Sequence, residues 1–410
     1  FFFFFFLPQT TSCPPAFLAF LFLFLAPPLV NSLDGFVGLA DNNSLVLRAP
    51  GDGQVLIAGA DFRALLDTVS MLKDELSTVK AQLGRQECRL SYDGTTITDL
   101  VPNGEKWNGG VLAGNGKIYG VPFNAQSVLI IDTATDTVDT TSIAGLGNVN
   151  FKWASGVLAG NGKIYGIPSF AASVLIIDPT TNTADTSSMA GFTETCCKWA
   201  DGVLAANGKI YGIPYKEKSV LIIDPASNTT DTTTIAGLSG LNNWSGGVLA
   251  NNGKIYGLPR DHQAVLIIDP ATNTADTSSI QGLSGTDKWA HGVLAANGKI
   301  YGIPWAATYV LIIDPATNTV DTTTITGLSG GWYGGVVALD GRIYSTPTSA
   351  RSVLIIDPAT NTTDTTSVAS LPGNDDWYGS VLAPNGKIYS IPRNSVSVLM
   401  LQCAVLSGIF

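Results

Sequence analysis

Charge is scarce in this 410-residue chain: Asp, Glu, Lys and Arg together make up 13%. Twenty-two residues are basic against 32 acidic, a net charge of −10, and no Lys/Arg cluster stands out. A nucleic-acid backbone or an anionic membrane surface asks for a basic stripe, so neither is an expected partner. Histidine is nearly missing, with only His262 and His291. Sites built on several imidazoles are therefore excluded, and no Ser or Cys has a recognisable base in the sequence. Glu is sparse, which leaves paired-carboxylate hydrolysis short of players. No Gly-rich phosphate loop appears. The apolar run over 16–26 has eleven residues, too few for the roughly 20 of a membrane-spanning helix. What is plentiful is hydrophobic residues (45%) and glycine (44), with Thr-rich segments and few helix formers. That mix belongs to a turn-rich all-β protein.

The eight Trp residues supply the organisation. Seven of them, Trp107, Trp153, Trp199, Trp244, Trp289, Trp332 and Trp377, recur at intervals of 43 to 46 residues. Seven copies of a period near 45 point to a β-propeller or a solenoid. Each copy reads as four strands, such as "GVLA", "KIYGIP", "SVLIID" and the Thr-rich "ADTTTI". Asn-Gly separates the first two, and "DPATNT" separates the last two. "VLII" is apolar on both faces, as a strand covered on both sides must be. Small residues before "VLA" suit an innermost strand crowded around an axis.

Closure separates ring from solenoid. The copy starting at Trp377 lacks a fourth strand, whereas "GTTITDL" (94–100) precedes the first Trp. The expected fold is all-β: a seven-bladed propeller of four-stranded blades over 85–410, its last blade completed by strand 95–100. Cys88 and Cys403 flank the meeting strands and are a candidate disulfide.

The repeat "VLAxNGKIYGIPxxxxSVLIIDPATNTxDTTTI" resembles the YVTN-type propeller repeat of the NHL and quinoprotein-like group. The resemblance covers 95–403 and implies propeller architecture. It leaves function open, because enzymes and binders share the fold. No Trp-Asp pair ends a strand, unlike WD40 repeats.

Residues 1–32 read as a signal peptide, expected to be truncated because the chain begins with Phe. Residues 33–60 read as a short β segment, with two strands around "PGDG". Over 61–84 the residues Phe62, Leu65, Val69, Leu72, Leu76, Val79 and Leu83 form a heptad seam. This predicts a short coiled-coil helix that joins copies in parallel through 62–83, with packing on its own propeller as the alternative. Sequons at Asn42, Asn228, Asn243 and Asn361 are candidate glycosylation sites. The expected location is secreted or cell-surface.

The strands repeat faithfully, while the loops after "IP" and the loops into each Trp vary on one face. The binding candidates lie there: Trp305, Tyr215, Lys216, Arg260, His262, Arg351, Arg393, and the adjacent Cys196 and Cys197. The expected role is non-catalytic recognition of a glycan or protein, with no catalytic residue, metal or cofactor assigned. The recurrent Trp are read as structural and the third-strand Asp as turn caps rather than metal ligands. The alternative is an enzyme at the channel: a lactonase-like hydrolase or a quinone-dependent oxidoreductase. The vicinal Cys pair beside Trp199 resembles quinoprotein alcohol dehydrogenases, and implies pyrroloquinoline quinone with calcium. The blade number differs from theirs.

Overall fold

The computed structural model describes residues 37–39, 45–48, 54–57, 71 and 88–405, except 99, 102, 103, 241 and 373–375. Two units are distinct, 1–85 and 86–410. In the first, strands Val37–Leu39, Leu45–Arg48 and Gln54–Ile57 form an antiparallel sheet. The last two strands flank the expected turn, and the first is an addition to the sequence reading. The heptad segment lies outside the described residues apart from Met71, as do the leader and Asn42. Among the described residues no helix is long and apolar enough to cross a membrane.

The second unit is a seven-bladed propeller of four-stranded antiparallel blades. Blade 2 serves as the example, with strands Trp153–Leu158, Ile164–Pro168, Leu175–Asp178 and Thr183–Asp185. Its second strand is buried at all five positions because successive residues face opposite junctions. Ile164 packs into the core shared with blade 1, and Tyr165 into the core shared with blade 3. The "NG" hairpin closes with a three-residue loop. Gly162 N donates to Ala159 O (3.0 Å), and Gly162 alone carries the positive φ of +79°.

Seven apolar clusters fill the seven junctions, each with one repeat Trp. Trp244 packs among blade 3 residues Val203, Ile213 and Val220 and blade 4 residues Ile255 and Leu266. The seven indoles are at most 3% exposed. Each donates its Nε1–H to the carbonyl twenty residues on, as Trp153 does to Ser173 O (2.8 Å). The structural reading of these Trp holds, and each buries roughly 200 Å², worth about 5 kcal/mol.

The ring closes as expected, by a strand from the start of the unit, but that strand is Cys88–Asp93 rather than 95–100. It pairs antiparallel with Leu399–Val405, with Asp93 opposite Met400. In every blade the Thr-rich run after the fourth strand is a turn, not part of the strand. Asp231 shows why. Its carboxylate accepts Thr233 N and Oγ1 (2.7 and 2.8 Å), Thr234 N (3.1 Å) and Thr234 Oγ1. Four donors on one carboxylate outweigh the β-propensity of Thr. Residues 95–100 still follow the seam, through Val398 N to Ile97 O and Leu100 N to Val396 O (both 3.1 Å). The register sets Cys88 opposite Val405 and Cys403 opposite Leu90, and the side chains of both cysteines lie outside the described residues.

A latch joins neighbouring blades on the face of the "NG" turns. Tyr119 OH donates to Asn182 Oδ1 (2.8 Å) in the next blade, and Asn115 Nδ2 donates to Pro179 O (3.1 Å). Tyr211, Tyr256 and Tyr301 repeat it with Asn273, Asn318 and Asn361. Blade 7 has no such turn because its third strand runs on into the closing pair. Blade 6 accordingly carries Asp340 where the other copies have Asn, and Tyr344 OH donates to Asp340 Oδ2 (2.8 Å). At the closing junction Asp136 replaces Asn and accepts both Tyr389 OH and Lys387 Nζ. The opposite rim of that seam carries a second ion pair, Arg393 to Glu105 (2.5 Å).

Candidate functional site

The site lies where the variable loops meet the channel. Each inner strand begins with Trp at the variable face, so the next two residues open onto the channel mouth and wall. In blades 6 and 7 the residue after Trp is Tyr, followed by a glycine at positive φ: Tyr333-Gly334 (+68°) and Tyr378-Gly379 (+76°). A side chain at Gly334 would meet Gly379 Cα at 3.1 Å, and one at Gly379 would meet Gly109 Cα at 3.1 Å. Only glycine permits both that conformation and that approach. Beside these glycines, Tyr333 and Tyr378 stack with centroids 4.0 Å apart.

Trp305, from the loop of blade 5, stands edge-on to both tyrosines at 5.7 and 5.6 Å. Arg393 covers Tyr378 at 3.9 Å and Phe123 at 5.5 Å. Arg260 lies over Trp305 at 5.4 Å and Tyr215 at 5.3 Å. Six blades thus contribute to one aromatic–arginine arc. Each guanidinium is held by a carboxylate from the next blade, Arg393 by Glu105 and Arg260 by Asp287 (both 2.5 Å).

Below the arc the wall is polar in one sector. Asp201 of blade 3 and His291 of blade 5 occupy the same repeat position, two after Trp. Asp201 Oδ2 lies 3.2 Å from His291 Nε2. The carboxylate also accepts Gly202 N (2.8 Å) and Gly247 N (3.0 Å). His291 Nδ1 is enclosed and has no hydrogen-bond partner. Burial by itself would lower the imidazole pKa, but the Asp201 carboxylate outweighs it and the net shift is upward. Burial, and then the nearby Asp201 charge, push the Tyr333 hydroxyl up to about 12. With Ser155, Ser380 and the channel glycines these groups line a cavity of about 110 Å³.

Buried lysines hold the loops in place. Lys precedes Trp in four blades. Lys288 Nζ donates to Arg260 O (2.9 Å), His262 O (3.1 Å) and Gly285 O (2.7 Å), which fixes the loop carrying Arg260. Lys198 Nζ donates to Phe170 O, Thr193 O and Thr195 O at 2.9 to 3.2 Å. That ties down the loop bearing Cys196 and Cys197, which are joined as a vicinal disulfide. Loss of hydration lowers Lys198 to about 8, against a smaller upward pull from Glu217 and Glu194.

Of the sequence candidates, Trp305, Tyr215, Arg260 and Arg393 meet in the arc. Lys216 is exposed beside the disulfide loop, its N–H on Cys197 O (3.0 Å). His262 lies over Trp244 (4.5 Å) and binds Ala264 N through Nδ1 (3.0 Å), so it caps its own loop. Arg351 ties its loop to the one leading into Trp377, through Nε to Leu371 O (3.2 Å). Among the sequons, Asn228 is exposed and Asn361 is committed to Tyr301. Asn243 is 1% exposed, in the loop ahead of Trp244. The third-strand Asp cap their turns as expected, as Asp132 does for Ala134 N (3.0 Å). Among the described residues no three His, Cys, Asp or Glu gather as a metal site. The sequence reading missed Tyr333, Tyr378 and Asp201 and gave His291 no role. Aligning the copies on Trp would have exposed them, since the two positions after Trp are mostly Gly, Ala, Ser or Asn elsewhere.

No protein-family model matches the chain, and no curated protein sequence matches it. Solved structures do match, among them several at low identity. A catalytically inactive virginiamycin B lyase from Staphylococcus aureus with quinupristin is 12% identical, with a TM-score of 0.60 over 78% of this chain and 100% of that one. Kuenenia stuttgartiensis hydrazine synthase is 14% identical, with 0.57 over 75% and 97%. The extracellular domain of a two-component system protein from B. thetaiotaomicron is 10% identical, with 0.58 over 91% and 47%. These likenesses establish the propeller fold and nothing finer.

Proposed function

We propose that the protein is a secreted or cell-surface binding propeller that takes a glycan, or a protein segment, across its channel mouth. The arc of Trp305, Tyr333, Tyr378, Arg260, Arg393 and Tyr215 carries this reading. Flat aromatic surface placed beside oriented donors suits a sugar ring, which offers an apolar face and a hydroxyl edge. Preorganisation favours binding, because the arginines are already held and little side-chain freedom is lost when a ligand arrives. The apolar run over 16–26 supports a secretory route, as does the extracellular setting of one structural neighbour. The heptad seam over 62–83 supports display on a parallel oligomer, which would raise weak contacts to useful avidity. Sedimentation of the intact chain as a monomer would refute the stalk.

A glycan array tests the site. Binding is expected to appear for a limited set of glycans and to disappear with Trp305→Ala, while the thermal melt stays within a few degrees. Silence across the array shifts the reading to a protein ligand. Retained binding in Trp305→Ala removes the arc as the site.

A further inference from the structure

The residue two before the repeat Trp is a joint between two loops. In blades 1 to 5 it carries positive φ: Glu105 (+47°), Phe151 (+60°), Cys197 (+71°), Asn242 (+55°) and Asp287 (+50°). Its carbonyl accepts an N–H from the loop after "IP" of the same blade, as Cys197 O does from Lys216 (3.0 Å) and Asp287 O from Ala306 (2.9 Å). Residues with a side chain avoid this conformation, so each joint needs something to hold it. In blades 1 and 5 the holder is an ion pair to the arc, Glu105 with Arg393 and Asp287 with Arg260. In blade 2 Phe151 stands edge-on to Phe123 (5.1 Å). Blade 4 uses Asn, which tolerates positive φ, and blade 6 uses Gly330 (+120°).

Blade 3 has none of these. The arc residues Phe123, Tyr215, Arg260, Trp305 and Arg393 each follow the second-strand Pro, and the residue at that place before Cys197 is Ser169, too short to be gripped. In place of a grip, Cys197 is bonded to Cys196. That bond adds little to ring stability, because disulfide stabilisation grows with the loop enclosed and adjacent cysteines enclose none. What it fixes is the joint. Both cysteines are half-buried on the binding face, within reach of a reductant in solution.

We propose that Cys196–Cys197 is a thiol–disulfide exchange site whose state sets the joint between the loop into Trp199 and the loop carrying Tyr215. The co-reactant is an external dithiol, which supplies two electrons and two protons. Its thiolate attacks one sulfur, and the Cys196–Cys197 bond breaks as a mixed disulfide forms. Its second thiol then displaces the bound cysteine. The products are two cysteine thiols and the oxidised reductant. Lys198 Nζ, on Thr195 O (3.2 Å), puts a cation near the departing thiolate. Once reduced, Cys197 is free to leave positive φ, and the Lys216 N–H loses its acceptor. Tyr215 is the adjacent residue and lies under Arg260 (5.3 Å), so the blade 3 end of the arc loosens with it. Lys198 still holds Phe170 O and Thr193 O, which confines the change to the joint. The consequence for a ligand rests on the binding reading above, whereas the state of the joint does not.

Peptide mapping of the non-reduced full chain is expected to return Cys196 and Cys197 in one oxidised peptide that dithiothreitol converts to the dithiol. Free thiols at the outset, or a bond that resists dithiothreitol, would overturn the proposal. Amide hydrogen exchange is then compared before and after reduction. Exchange at the Lys216 N–H is expected to rise about tenfold or more, while the Ala306 N–H, its counterpart in blade 5, stays unchanged. Equal protection of Lys216 in both states would overturn the proposal, as would a matching rise at Ala306, which means general loosening. The Cys196→Ser/Cys197→Ser chain separates this pair from Cys88 and Cys403. It is expected to exchange at Lys216 like the reduced wild type and not to respond to dithiothreitol; a response there would assign the effect to the other cysteines. The exchange readout needs no glycan, so silence on the array counts against the binding reading and not against the switch.

Discussion

Trp244→Phe tests whether the recurrent indoles hold the ring together or serve as contact surface. Trp244 is completely buried at the junction of blades 3 and 4. Its Nε1–H donates to Ala264 O (2.8 Å). Phenylalanine keeps most of the apolar contact but removes the donor and the second ring. An unsatisfied buried carbonyl costs about 1–3 kcal/mol. The space left by the lost ring atoms adds about 1 kcal/mol. The expected loss is therefore about 2–4 kcal/mol, read by urea unfolding followed by far-UV circular dichroism. Trp305→Ala is the control, because Trp305 is half-buried on the face and contributes to no junction cluster. It should cost about 1 kcal/mol or less. A Trp244→Phe midpoint indistinguishable from the wild type, or a larger loss at Trp305, would refute the division of labour between the two kinds of Trp.

Acid should weaken the ring through its Asp turns. The Asp231 carboxyl is held at about 2, chiefly by the hydroxyl of Thr234 and the N–H of Thr233, against an ordinary value of 3.8. A depressed folded value means that the stabilisation is fully present above about pH 4 and is lost as pH falls through about 2. With solvent screening each turn contributes on the order of 1 kcal/mol, so thermal melts should drop steeply between pH 4 and 2, and Asp231→Asn should flatten part of that drop. Asp136→Ala removes the acceptor of both Tyr389 and Lys387 at the closing seam and should cost about 2–3 kcal/mol, with hydrogen exchange rising first in strand 88–93. Protection unchanged there would argue that the seam is held elsewhere. Gly379→Ala should cost more than about 1 kcal/mol and separate the stacked tyrosines, because it forces a side chain into positive φ against Gly109. A crystal structure of the variant with that stack intact would contradict this.

The architecture was legible because a period near 45 with a displaced fourth strand admits few folds. The misplacement of the closing strand has a local cause. Thr favours strands on propensity, and nothing in "DGTTITDL" announces that Asp93 gathers the next hydroxyls and amides into a turn. The candidate site was half legible. Trp305, Arg260 and Arg393 stood out because their loops break the repeat. Tyr333 and Tyr378 were hidden because they sit inside strands, where an aromatic residue reads as core.

Taken alone, the sequence determined the number of blades, the order of strands within each, the role of the seven Trp and the need for a strand from the front of the ring. All of these follow from local pattern and repeat phase. Only the tertiary structure decided that Asp201 and His291 meet, and that residues from six blades form one surface. The reason is geometric. A closed ring brings equal positions of different copies to a common axis, so chain separation ceases to measure distance there, and contacts across the axis depend on which copies carry glycine.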